Sequence, residues 1–111
     1  MVTGYPYLLD SSAATVINSD IIPAIRLATD ELNTTIEQAV TATQATDVNI
    51  RYVDVTAKFE GHGIYSAVPF INRPGPEPPA LHPNSAGNRA YADVILARLP
   101  GGWLDKQKQL V

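Results

Sequence analysis

Apolar residues recur along this chain in two helical rhythms and two strand-like runs. Over residues 20–43, Ile22, Ile25, Ala28, Leu32, Ile36, Ala39 and Val40 return mostly at three- and four-residue steps, which predicts one long helix with an apolar stripe. Pro23 falls in its first turn, where a missing N–H is harmless. A second helix is predicted over residues 85–99, with Ala86, Ala90, Val94 and Ala97 on one face and Tyr91, Ile95 and Leu99 beside them. Pro100, Gly101 and Gly102 stop it. Asn84 or Ser85 can cap its start.

The strand-like runs are residues 2–9, "VTGYPYLL", and residues 48–55, "VNIRYVDV". In the first, Gly4 and Pro6 fray the strand into a loop. The second alternates more clearly, with Val48, Ile50, Tyr52 and Asp54 on one face and Asn49, Arg51, Val53 and Val55 on the other. A polar connector, residues 10–20, leads into the long helix. Residues 56–83 are irregular and hold Gly61, Gly63, Gly75 and six prolines; a loop this long in a compact domain is usually functional or covers a site. The order strand, helix, strand, loop, helix argues for a parallel sheet with covering helices. Two parallel strands alone would leave edges and apolar faces exposed, so the residues predict half of an α/β domain. A chain whose second residue already lies in a strand is expected to be part of something longer.

The 111 residues suit one small unit, and 45% hydrophobic with 17% charged residues is an ordinary globular balance. A formal net charge of −3 with scattered basic residues leaves no footprint for nucleic acid and no polybasic membrane anchor. No stretch approaches the roughly 20 apolar residues of a transmembrane helix, and "MVTGYPYLLD" lacks the parts of a signal peptide. With no cysteine, disulfides and thiolate chemistry are excluded. Two histidines without a carboxylate cluster make a poor zinc site, and no cofactor is expected.

One of those histidines stands in "LHPNSAGNRAYADVILARL", on a stiff turn directly before a helix. The helix start needs a capping side chain but no imidazole, which marks His82 as a candidate for chemistry. The stretch from His82 resembles the last block of the SGNH (GDSL) esterase and lipase family, with His82, Pro83, Asn84 and Gly87 in place. Upstream, "KFEGHGIYSAVPFIN" resembles a loop of secreted lipases of that family through Phe59, Gly61, His62, Pro69, Ile71 and Asn72. "VTGYPYLL" resembles the strand after the family's asparagine block. The resemblance covers residues 2–99.

It implies the C-terminal half of a flavodoxin-like, three-layer α/β/α fold with parallel strands, in a secreted, extracellular parent. It also implies hydrolysis of acyl-ester or lipid substrates, with His82 as general base for a serine. The serine and its oxyanion-hole partners come from earlier blocks that are absent here, since Asp10-Ser11-Ser12 follows the wrong strand. The family usually places an aspartate three residues before the histidine. Here that position is Pro79, whose backbone carbonyl is expected to meet a ring nitrogen of His82, with Glu77 a weaker candidate turned to solvent. His62 and Asn84 are candidates for lining a substrate pocket, although a loop histidine such as His62 is more often structural. Tyr65 stands where secreted relatives often carry a cysteine. The chain is expected to pair with a nucleophile-bearing N-terminal half, or with another copy of itself. The competing reading is a non-catalytic α/β module that binds a partner through its sheet edge.

Overall fold

Two short strands pair in parallel. The computed structural model describes residues 1–75 and 79–99. In it, β1 (Val2–Thr3) pairs with β2 (Tyr52–Val53), Val2 opposite Tyr52 and Thr3 opposite Val53. Between them come a 3₁₀ turn, Ser11–Thr15, and the long helix α1 (Ile21–Gln44). After β2 follow the single-turn α2 (Thr56–Phe59), an irregular segment and α3 (Ser85–Arg98). β2 touches both α1 and α3. The Tyr52 hydroxyl lies beside Asn33 of α1 against Gly4, while Val53, on the alternate face, is buried.

The parallel pairing expected from the element order is present, but both strands are shorter than residues 2–9 and 48–55. Ladder hydrogen bonds run from Val2 N–H to the Arg51 carbonyl (2.8 Å) and from Gly4 N–H to the Val53 carbonyl (3.0 Å). Beyond Gly4 the backbone finds other partners. The Asn33 side chain accepts from Tyr5 N–H (2.7 Å) and donates to the Tyr5 carbonyl (2.9 Å), standing in for a neighbouring strand. Arg26 donates to the Leu9 carbonyl at 3.2 Å. On the other strand, Asp47 has φ 63°, a left-handed residue that aspartate tolerates better than most. Ile50 is drawn into a local turn by a bond from its N–H to the Val48 carbonyl (3.0 Å).

These partners also correct the stripe on α1. The buried positions are Ile22, Asn33 and Val40, with Arg26, Thr29 and Ile36 partly buried between them. Ile25, Ala28, Leu32 and Ala39 are exposed. The inward row is thus one position to the side of the most apolar one, because the segment beneath it has unpaired backbone groups that only polar side chains can satisfy.

α3 begins at an N-cap of Asn84, whose Oδ1 accepts from Gly87 N–H at 2.9 Å. Its inward line is Gly87, Ala90, Tyr91 and Val94, while Ala86 and Ala97 face out. Leu99 leaves the helix with ψ 143°, as expected for a residue preceding proline. Pro100, Gly101 and Gly102 lie outside the described residues. The core is Leu9, Ala13, Ile22, Val55, Phe59, Ile64, Ile71 and Ala90. Phe59 sits at its middle, with edge contacts to Phe70 (centroids 5.5 Å apart) and Tyr91 (5.1 Å). Burial pushes the Tyr91 hydroxyl up to about 12.

Gly87 is where α3 meets the loop backbone to backbone. A Cβ there would lie 2.0 Å from the Phe70 carbonyl oxygen. Alanine favours a helix interior over glycine by roughly 0.5–1 kcal/mol, but overpacking against main chain costs about 1–3 kcal/mol. The clash wins. Gly87→Ala is therefore expected to lower stability by about 1–2 kcal/mol in urea denaturation; an unchanged or raised midpoint would show that the helix can slide away.

Candidate active site

The segment that leaves the C-terminal end of β2 through α2 carries every site residue singled out in the sequence. Phe59 anchors it in the core, and its carbonyl accepts from His62 N–H at 2.9 Å. His62 in turn offers its carbonyl to Phe70 N–H (3.0 Å), and the Phe70 carbonyl accepts from Asn84 N–H (2.9 Å). Ile71 faces Pro83 across an antiparallel bridge, completed by Asn72 N–H to the His82 carbonyl at 2.9 Å. A continuous run of main-chain bonds thus leads from the core to His82 and the mouth of α3.

His62 is held within this frame. Its ring lies 3.8 Å from that of Phe70, nearly parallel at 3°. Nδ1 lies 2.8 Å from the Val68 carbonyl. A carbonyl can only accept, so Nδ1 carries the hydrogen and donates it. Asn84 is equally occupied: Oδ1 caps α3, and Nδ2 donates to the Pro69 carbonyl at 2.7 Å. Both residues brace the loop through these bonds.

His82 is exposed, one residue before the Pro83 that leads into the cap. It closes a turn over residues 79–82 by donating its N–H to the Pro79 carbonyl at 3.2 Å. Of the two central residues only Leu81 has positive φ, 65°, the pattern of a type II turn, which asks for glycine or asparagine there. In a leucine that conformation costs roughly 1–2 kcal/mol, and its side chain is 47% exposed, so packing offsets little of it. The expectation that the Pro79 carbonyl meets the imidazole needs correction. Its donors are the backbone N–H of His82 and, at 3.3 Å, Nδ2 of Asn72. With both lone pairs engaged, Pro79 orients His82 through the backbone from which the ring springs. Among the described residues no hydrogen bond ties the ring itself; Glu77 lies outside them.

A second group, centred on Asp10, holds the other end of the loop. Asp10 is buried, and its Oδ2 accepts from Gly63 N–H at 2.9 Å. Oδ1 accepts from the Ser12 N–H (2.9 Å) and from the Ser12 hydroxyl. Burial raises the Asp10 pKa, but the bonds from Ser12 and Gly63, with Arg26 nearby, together outweigh it and hold the carboxyl below its ordinary value. Arg26 also bonds both oxygens of Glu60, at 2.8 and 3.2 Å, and lies 3.8 Å over the Tyr7 ring. The motif Asp-Ser-Ser was visible, but its target lies 53 residues away.

No group of three or more metal-ligating side chains occurs among the described residues, and no helix there is long and apolar enough to cross a membrane. No protein-family model matches the chain, and no curated protein does. Among solved structures it is similar to the extracellular lipase from Streptomyces rimosus, with 30% identity and a TM-score of 0.65 over 88% of this chain and 42% of that one. The fold is therefore lipase-like, a mixed helix and strand arrangement around a small parallel sheet. The chain spans less than half the length of that lipase.

Because the folded-state pKa of Asp10 is depressed, its stabilising effect is present above the unfolded value and lost as pH falls through the folded one. Stability is expected to decline below about pH 4, and less steeply in Asp10→Asn than in the wild type. Parallel acid-unfolding curves for the two proteins would show that another carboxylate carries the transition.

Proposed function

We propose that residues 1–111 form the C-terminal part of a serine ester hydrolase of SGNH type, acting on acyl-ester or lipid substrates. Its nucleophile-bearing N-terminal part pairs with this chain to complete a flavodoxin-like, three-layer domain. The observation that carries this reading is the placement of His82, exposed on a braced turn at the mouth of α3, in a chain 30% identical to part of an extracellular lipase. That likeness also supports a secreted parent.

In this mechanism the imidazole of His82 removes the hydroxyl proton as the serine oxygen attacks the ester carbonyl. A tetrahedral oxyanion forms and is stabilised by donors on the partner segment. His82 then returns the proton to the departing alcohol, and a water activated in the same way releases the acyl group from the serine. The Pro79 carbonyl fixes the backbone of the base, while His62 and Asn84 brace the segment behind it. No metal or cofactor enters any step.

The test is made on the intact natural protein that contains this chain. A fluorophosphonate probe is expected to label one serine upstream of Met1, and His82→Ala to lower ester hydrolysis by about 10²–10⁴-fold, the usual range for a lost general base. Residues 1–111 alone should hydrolyse esters no faster than free imidazole. An intact protein that neither labels nor hydrolyses would point instead to the non-catalytic module, whose sheet edges beside β1 and β2 would serve a partner.

A further inference from the structure

The turn that ends at His82 is strained, and one residue grips it from outside. Leu81, with φ 65°, is exposed and so is not held by packing. Asn72 touches three of the four residues of the turn. Its N–H donates to the His82 carbonyl (2.9 Å), its carbonyl accepts from Leu81 N–H (3.1 Å), and its Nδ2 donates to the Pro79 carbonyl (3.3 Å). The first two bonds are main-chain and any residue at 72 would make them. The third needs a short side-chain amide. Asn72 is itself fixed, because its neighbour Ile71 is 1% exposed in the core and sits opposite Pro83.

We propose that Asn72 is a positioning residue for His82: its side-chain amide keeps the turn over residues 79–82 in its left-handed form, and thereby sets where the imidazole stands. The inference rests on His82 being the general base. The bond from Nδ2 does not reach the ring and changes no proton on it. It acts through the Pro79 carbonyl, which also holds the His82 N–H. Without it, Leu81 relaxes toward negative φ, the bond between His82 N–H and Pro79 opens, and the ring leaves its place beside the serine. Leu81 is thus the joint that opens and Asn72 the grip that keeps it closed. A glycine at 81 adopts positive φ without the steric penalty, so it should make the grip largely unnecessary.

The experiment uses Asn72→Ala, Leu81→Gly and the double variant in the intact protein, with hydrolysis of a short-chain p-nitrophenyl ester and amide hydrogen exchange at positions 81 and 82. Asn72→Ala is expected to lower kcat by about 3- to 10-fold, the scale of one hydrogen bond, with KM unchanged. Exchange at both amides should rise while amides in α1 keep their protection. Adding Leu81→Gly should restore most of kcat and of the protection at 82. A purely structural role for Asn72 would lower protection throughout and would not be rescued at 81. Unchanged kcat, or unchanged exchange at 81 and 82, in Asn72→Ala overturns the inference while leaving the esterase reading intact. A wild type that hydrolyses no ester overturns the esterase reading first and the positioning role with it.

Discussion

The antiparallel meeting of residues 70–72 with residues 82–84 is the contact on which the rest of this structure depends. On one side it continues into Phe59, Ile64 and Ile71 of the core. On the other it delivers Asn84 to the start of α3 and His82 to the surface. Its bonds are main-chain to main-chain, so they demand close approach, and Gly87 is what permits it. A site residue on a loop is useful only if the loop is rigid. Here rigidity comes from pairing, stacking and capping concentrated within a few residues of the histidine.

The opposite side of the fold solves a different problem. Only four residues form the parallel ladder, and the chain from Tyr5 to Asp10 must satisfy its polar backbone elsewhere. Asn33 and Arg26 do so from α1, and the Ile64 N–H reaches the Leu8 carbonyl at 3.0 Å. Asp10 then ties this segment to Gly63 at the root of the site loop. Segments far apart in the chain are thus joined by side-chain and isolated main-chain bonds, those of Arg26 and Asp10 charge-assisted and so stronger than neutral ones, at places where a wider sheet would have used ladder pairs.

Local information was readable from residues alone. The long helix falls at Ile21–Gln44 against an expectation of residues 20–43, and the last helix ends one residue before the predicted Leu99. Asn84 proved to be the cap of the two candidates. The His-Pro-Asn block stood out because its residues are consecutive. What could not be read is what depends on partners distant in sequence. Apolar periodicity picks out the row Ile25, Ala28, Leu32, whereas the buried row contains Asn33 because Tyr5, 28 residues earlier, needs its amide. Strand lengths were overestimated for the same reason: β-branched composition is local, but a ladder exists only where a neighbour runs. Asn72 attracted notice as part of a motif, and its grip on the turn emerges only from tertiary pairing.

The two-way amide of Asn33 bears on any attempt to redesign this protein. A procedure that maximises hydrophobic burial would put leucine there, since the site is nearly closed to solvent and lies in line with Ile22 and Val40. The pattern would look better and the molecule would be worse. Leucine offers neither donor nor acceptor, so both main-chain groups of Tyr5 would lose the partner that Asn33 gives them. In α1 the residue that interrupts the apolar row does the work of a pairing strand, and sequence optimisation of this protein has to treat it as backbone.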